Sequence, residues 1–170
     1  RSIYDEAKRF IESMTISYYQ YHKLNVSIIR IFNTYGPRMK IDDGRVLPTF
    51  ISQASKNLDI TINGDGNQTR SFCYINDLID GFISVMHSSY AYPLNIGNDD
   101  EITINEIASI IKKLLGSTSN IIYNELPEDD PLKRKPDLSL GKKILNWSPK
   151  INNIDGFKML IEYYKKNNLI

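Results

Sequence analysis

Residues 3–22 carry Ala7, Phe10, Ile11, Met14 and Tyr18 at three-to-four-residue spacing, the period of an amphipathic helix. Val26 to Phe32 follows at once. It is short, β-branched and nearly all apolar, as expected of a strand buried on both faces of a parallel sheet. A helix running into a buried strand is the tail of a βαβ unit. Asn33 to Gly44 reads as a loop, with Gly36-Pro37 and Asp42-Asp43-Gly44 as turn signals. The pattern then predicts a helix over 47–57 and a short strand at Ile60–Ile62. A hairpin-like turn follows at Asn63-Gly64-Asp65-Gly66, with a partner strand from Thr69 to Ile75. A helix capped by Asn76 or Asp77 places Leu78, Phe82, Val85 and Met86 inward. Pro93–Gly97 is a short strand, and Thr103-Ile104-Asn105-Glu106 fits a capping box opening a helix through Leu115. Ile121–Tyr123 is another strand, Leu126–Asp137 a charged, proline-punctuated loop, and helices over 138–145 and 154–167 close the chain. This is α/β organisation: the end of a large parallel sheet, then a smaller mixed α/β lobe.

Composition narrows the function classes. The chain has 170 residues, 41% hydrophobic and 24% charged, with a net charge of +1. That size suits one domain or two small lobes. The near-neutral balance gives no support for a nucleic-acid partner or a membrane-surface role. The single cysteine, Cys73, excludes an internal disulfide framework and a cysteine-based zinc site. His22 and His87 stand at helix ends without a ligand cluster, so no metal site is expected. No apolar run reaches transmembrane length, and the chain opens on Arg1 rather than Met, as a piece of a longer protein would.

Candidate chemistry begins with Tyr4-Asp5-Glu6-Ala7-Lys8. A Tyr and a Lys four apart share one helix face. A cation beside a phenol favours the phenolate, the form that takes a proton from a hydroxyl group. Alone the motif is common, and a solvated i,i+4 pair is its bland alternative. Further segments follow in order: Arg30-Ile31-Phe32-Asn33-Thr34-Tyr35-Gly36-Pro37-Arg38-Met39, Asp43-Gly44-Arg45-Val46, Gly64-Asp65-Gly66-Asn67-Gln68-Thr69-Arg70-Ser71-Phe72, and Asp129-Asp130-Pro131-Leu132-Lys133-Arg134-Lys135-Pro136-Asp137.

Together these segments resemble the extended short-chain dehydrogenase/reductases that act on nucleotide sugars, the NAD-dependent epimerase/dehydratase family. Among them they look most like the UDP-glucuronate decarboxylases. The resemblance runs nearly end to end. It implies the C-terminal part of a Rossmann-like doubly wound parallel sheet plus a smaller substrate-binding lobe. Residues 1–35 would end the NAD-binding domain, and 36–170 would form mainly the nucleotide-sugar lobe, with some segments returning to the sheet. It also implies a reaction: oxidation of the sugar at C4 with NAD as cofactor, loss of CO₂ from the resulting β-keto acid, and reduction back at C4 to give UDP-xylose.

The resemblance assigns roles residue by residue. Tyr4 is the catalytic acid/base, with Lys8 holding the nicotinamide ribose beside it. Asn33 contacts substrate at a strand end, where open α/β sheets bind ligands; its bland alternative is a turn-former before Gly36. Thr34 and Arg45 border the same loop as cofactor contacts, and a surface ion pair with Asp42 or Asp43 competes for Arg45. Arg70 sits near the diphosphate, since a guanidinium binds phosphate oxygens in a fork; a plain cross-strand arginine is the alternative. Arg134 and Asp137 match a pattern near the nucleotide ribose and phosphates, against a merely solvated loop. Lys133 and Lys135 are expected at the surface. Asn63 departs from the family, which often has an aromatic there near the uracil.

The first helix, with Tyr18, Tyr19 and Tyr21, is expected either at a homodimer interface or in core packing. The rival readings are a dTDP-glucose 4,6-dehydratase, a UDP-sugar 4-epimerase and a non-catalytic nucleotide-sugar-binding remnant. The expected compartment is the cytoplasm, or the Golgi lumen if an N-terminal segment carries an anchor.

The glycines form no Gly-x-x-Gly-x-x-Gly or Gly-x-Gly-x-x-Gly turn between a strand and a helix. The pyrophosphate-binding turn of a dinucleotide site is therefore outside these residues, and the chain reads as a C-terminal half. By itself it should neither hold NAD tightly nor decarboxylate. Calorimetry with NAD⁺ checks this, and micromolar binding would refute it.

Overall fold

A computed structural model describes residues 2–126, 131 and 133–170. Asp129, Asp130 and Leu132 of the last motif lie outside the described residues. In chain order the elements are α1 (Ser2–His22), β1 (Ile29–Ile31), β2 (Thr34–Tyr35), α2 (Val46–Ser55), β3 (Ile60–Asn63), β4 (Thr69–Ser71) and β5 (Cys73–Tyr74). They continue with α3 (Ile75–Met86), β6 (Leu94–Ile96), β7 (Glu101–Thr103), α4 (Ile104–Leu115), β8 (Ile121–Asn124), β9 (Lys133–Arg134), α5 (Ser139–Leu145) and α6 (Asn153–Lys166).

Parallel pairing dominates. β1 pairs with β6, β2 with β5 and β3 with β8, all parallel. β4 lies between β7, antiparallel to it, and β9, parallel to it. This is the α/β class that the pattern predicts. The expected hairpin is not formed. The turn after β3 exists, with Gly64 and Gly66 at φ of 78° and 75°, the left-handed region glycine favours. It redirects the chain, so β3 takes β8 as its neighbour and β4 takes β7. The segment 69–75 is also not one strand: it breaks at Phe72, and α3 begins at Ile75. Neither Asn76 nor Asp77 caps α3. The buried Asp77 carboxylate instead accepts the backbone N–H groups of Lys150 and Ile151 at 3.0 and 2.8 Å, a long-range tether. Met86, expected inward, is 74% exposed.

β1 is shorter than expected and not buried on both faces: Arg30 is exposed and Ile31 is 56% exposed. The reason is that β1 is hydrogen-bonded only to β6, so its other edge is open among the described residues. α1 is open in the same way. Its half-buried positions are Glu12, Thr15, Ile16 and Tyr19, whereas Phe10, Ile11, Met14 and Tyr18 remain exposed.

Two apolar clusters hold the rest. The larger one gathers β2, β3, α2, α4 and α6 around Tyr35, Phe50, Ile62, Ile107 and Phe157. The smaller one packs Leu78, Val85, Leu94, Ile96 and Trp147 around Cys73. Burying an isoleucine or phenylalanine contributes about 1.5–3 kcal/mol, so these clusters carry most of the stability. α4 shows how sequence becomes fold. Ile104, Ile107, Ala108 and Ile111 give it a buried stripe. The expected capping box is complete: Glu106 N–H donates to Thr103 Oγ1 at 3.1 Å, and Thr103 N–H donates to Glu106 Oε2 at 2.8 Å.

Tyr35 ties the larger cluster together, with edge contacts to Phe72, Tyr74 and Phe157. Its hydroxyl is buried without a hydrogen-bond partner among the described residues and lies where a Cβ at Gly156 would stand. Burial pushes that hydroxyl above the usual tyrosine range. Removing an unpartnered buried hydroxyl relieves its desolvation, whereas a methyl at 156 overpacks the contact. Tyr35→Phe should therefore leave stability unchanged or raise it by about 1 kcal/mol, and Gly156→Ala should lower it by about 1–3 kcal/mol. Urea denaturation of the two variants checks both signs.

Candidate functional site

A cavity of about 650 Å³ opens between the carboxyl end of β1, the start of α2 and the β4–β9 strand pair. That volume suits a small organic ligand. Asn33, Thr34, Arg45, Asn63, Gln68, Arg70 and Arg134 all line it, so residues far apart in sequence converge on one space. Three of these lining residues are arginines. Val46 and Leu47 bring the amide end of α2 to the same wall, and that end of a helix favours negative charge.

Arg70 is the most enclosed of these cations, only 8% exposed. One guanidinium nitrogen donates to the carbonyl of Thr69 at 2.8 Å. Arg70 stands directly across from Arg134 in the parallel β4–β9 register. Like charges directly opposite one another destabilise a sheet unless negative charge lies close to them. Side chains alternate along a strand, and the other face is organised by Glu101. Thr69 Oγ1 donates to Glu101 Oε1 at 2.9 Å, and the Lys133 and Lys135 ammonium groups lie 3.4 and 3.3 Å from Oε2. Thr69 first, then the two lysines, hold the Glu101 carboxyl below the usual glutamate range. Both lysines are thus surface partners of a carboxylate, as expected of them.

The strand ends are fixed by the backbone. The Asn33 carbonyl accepts the Cys73 N–H at 2.8 Å, and the Thr34 hydroxyl donates to the Phe32 carbonyl at 2.8 Å. Arg45 has its expected competitor: its Nε lies 3.5 Å from Asp43 Oδ2, and the arginine side chain is 70% exposed. Such an exposed pair is worth about 0–1 kcal/mol and yields readily to a stronger anion. Asn63 lines the cavity at the position of the family's usual aromatic, and its carbonyl accepts Gln68 Nε2 at 2.6 Å.

Three of the expected site residues stand apart from the cavity. Tyr4 and Lys8 lie on α1, with Lys8 Nζ 5.4 Å from the Tyr4 ring centroid and Tyr4 65% exposed. Asp137 accepts the Ser139 N–H at 2.9 Å where α5 begins, and that bond holds its carboxyl below the usual aspartate range. Its carbonyl accepts Asn95 Nδ2 at 2.9 Å, so it joins α5 to β6.

Gln68 was missed by sequence reasoning. It is 6% exposed, lines the cavity, and its Oε1 has no hydrogen-bond partner among the described residues. The signal was available: Gln68 and Arg70 are two apart, which places both on one face of an extended segment.

Residues 1–97, more than half of the chain, match the NAD dependent epimerase/dehydratase family. The chain belongs to that family. Within the matched segment lie Tyr4, Lys8, Asn33, Thr34, Arg45 and Arg70, whereas Arg134 and Asp137 fall beyond it. UDP-glucuronic acid decarboxylase 3 of Arabidopsis thaliana is 44% identical over 165 residues, covering 97% of this chain and 48% of the relative. UDP-glucuronic acid decarboxylase 1 of Xenopus tropicalis is 41% identical over 166 residues, covering 98% of this chain and 39% of the relative. The chain thus spans about half the length of the curated relatives it matches, or less. Among solved structures, a Thermotoga maritima UDP-glucose 4-epimerase with UDP-glucose superposes with a TM-score of 0.90 at 25% identity, over 95% of this chain and 53% of that one. A Bacillus cereus UDP-glucuronic acid 4-epimerase in complex with UDP-glucuronic acid and NAD gives 0.82 at 28%, over 92% and 50%. This epimerase/dehydratase chain therefore has the Rossmann-like α/β architecture that its motifs imply. Among the described residues no helix is long and apolar enough to cross a membrane, and no His, Cys, Asp and Glu cluster could hold a metal ion.

The Glu101 cluster predicts a pH dependence. A carboxyl held low in the folded chain adds stability that is fully present above the ordinary glutamate range, about 4.3. That stability is lost as pH falls through the depressed value. Acidification through this window, or Glu101→Gln at neutral pH, should loosen β9 first. Hydrogen exchange at Lys133 and Arg134 should then speed up several-fold, while exchange in α4 stays unchanged.

Proposed function

We propose that the complete protein decarboxylates UDP-glucuronate to UDP-xylose through a 4-keto intermediate, with NAD as cofactor. One observation carries the nucleotide part. Arg45, Arg70 and Arg134 and the amide end of α2 converge on one cavity. That is the chemistry of a diphosphate site. The relatives named UDP-glucuronic acid decarboxylases support the choice of reaction over an epimerase or a dehydratase.

In this reading Arg70 and Arg134 share the diphosphate across the β4–β9 register, and Gln68 offers its free amide oxygen to a donor on the nucleotide. Asn33 meets the sugar at the carboxyl end of β1. Tyr4 takes the proton from the C4 hydroxyl as C4 is oxidised, and returns it at the end. The C4 carbonyl makes the sugar a β-keto acid, and CO₂ leaves because the carbanion at C5 delocalises into that carbonyl. A proton then returns to C5.

The residues present fit the nicotinamide end of NAD. Lys8 beside Tyr4 suits a ribose, Thr34 and Arg45 line the cavity, and the open edge of β1 suits further strands of a dinucleotide-binding sheet. When bound, NAD supplies the hydride acceptor and donor for C4. Asp137 is retained near the nucleotide ribose through its place between α5 and β6. The exposed apolar residues of α1 support a homodimer formed through that helix. For the compartment, one buried free thiol agrees with the cytoplasm, with the Golgi lumen as the alternative.

The diphosphate site lies wholly within this chain, so calorimetry with UDP tests it directly. Each charged hydrogen-bond partner is worth about 1.5–3 kcal/mol, so Arg70→Ala or Arg134→Ala should weaken UDP binding roughly 10- to 100-fold. In the complete protein, UDP-glucuronate should release CO₂ and give UDP-xylose, and Tyr4→Phe should lower the rate about 10²- to 10⁴-fold. An epimerised or dehydrated product would replace the decarboxylase reading.

A further inference from the structure

α1 is held to the sheet by few contacts, and one is well directed. Arg30, in the middle of β1, grips Glu12 in a fork: Nε to Oε1 at 2.7 Å and Nη2 to Oε2 at 2.6 Å. A bidentate pair fixes geometry as well as charge. The Arg30 hydrogen bond holds the Glu12 carboxyl below the usual range. The second anchor is Tyr19, whose ring lies 6.4 Å from that of Tyr92, edge to face.

These two anchors define a ruler. Leu94 of β6 pairs with Ile29, so Tyr92 is level with residue 27. That is about 10 Å before Arg30, at ~3.3 Å per strand residue. From Glu12 to Tyr19 the helix also advances about 10 Å, at ~1.5 Å per residue. The lengths match when α1 runs antiparallel to β1. Tyr4 lies about 12 Å from Glu12 in the opposite direction. It is therefore level with Asn33 and Thr34, both of which line the cavity. At about 100° per residue, Tyr4, Lys8, Glu12, Thr15, Ile16 and Tyr19 all fall within a stripe roughly 120° wide.

We propose that Glu12 and Arg30 are positioning residues: their forked pair sets the axial register of α1 on β1 and so delivers the Tyr4 phenol to the level of Asn33. This rests on Tyr4 being the proton acceptor of the proposed reaction. The pair is well placed for the task, because a slip of α1 by one helical turn moves Tyr4 about 5 Å along the strand. Its contribution to stability is small, because the Arg30 side chain is 54% exposed.

The test uses the complete protein with UDP-glucuronate. Glu12→Gln removes the charge and keeps the shape. It should lower kcat roughly 10- to 100-fold, the loss expected of a misplaced catalytic group, while KM for the nucleotide sugar changes less than about twofold. The reciprocal swap, Glu12→Arg with Arg30→Glu, should recover at least about tenfold of the lost rate, since the attraction is restored. If Glu12→Gln does not fold, Glu12→Asp carries the test: it keeps the charge and shortens the arm, and kcat should again fall with KM held. Three results overturn the proposal while leaving the role of Tyr4 intact, given a Tyr4→Phe enzyme that is itself inactive. These are an unchanged kcat, a loss shared equally by KM, and a loss that the swap does not recover. An active Tyr4→Phe enzyme removes the underlying reading, and the proposal with it.

Discussion

Arg70 and Arg134 face each other across two paired strands, and guanidinium groups so placed repel unless something negative divides the charge. The surrounding structure is arranged around that repulsion. Glu101, on β7, acts on the opposite face, where it draws in Thr69, Lys133 and Lys135 and fastens β9. The cavity face carries three arginines and a helix amide end, and Asp43 holds the exposed Arg45. Two cations placed in register favour negative charge between them, and that is the electrostatic basis of the proposed site.

Much of this was legible before any coordinates. The capping box at Thr103 and the helix periods follow from local chemistry and formed, whereas of the apolar strand expected at 26–32 only 29–31 is paired. The convergence of Asn33, Thr34, Arg45, Arg70 and Arg134 came from ordered motifs rather than from any local signal, because the contacts joining them span up to a hundred residues. Pairing was the less legible layer. A glycine turn between two apolar runs suggests a hairpin, but register depends on which distant strand offers the better apolar face, and β8 offered it to β3. Short strands such as β2, β7 and β9 have two or three residues each, too few for a period to show. Asp77 looked like a helix cap because local chemistry allows it, but tertiary demand for an acceptor at Lys150 and Ile151 claimed it.

The near-zero net charge hides this organisation. Composition averages over a positive cavity, a carboxylate hub behind it and scattered surface pairs, so it gives no support for a polyanion-binding surface and does not reveal a small-anion pocket. The two parts of the proposed reaction also differ in how firmly they are held. The nucleotide pocket is built from elements packed into the larger cluster. The proton acceptor rides on α1, a helix that meets the sheet along one narrow stripe and presents its apolar side outward. Binding and chemistry therefore rest on parts of the chain with different freedom to move.

Cys73 lies beneath that division, on β5, in the smaller cluster. It is fully buried, and burial pushes its thiol up to about 12. The thiolate is the form that reacts with alkylating reagents, so in the folded chain the single thiol is chemically silent. Thiol oxidation therefore has no grip on this fold until β5 comes away from α3. The same atom is then the chain's one reactive sulfhydryl, a built-in clock whose labelling rate counts openings of the β2–β5 pair.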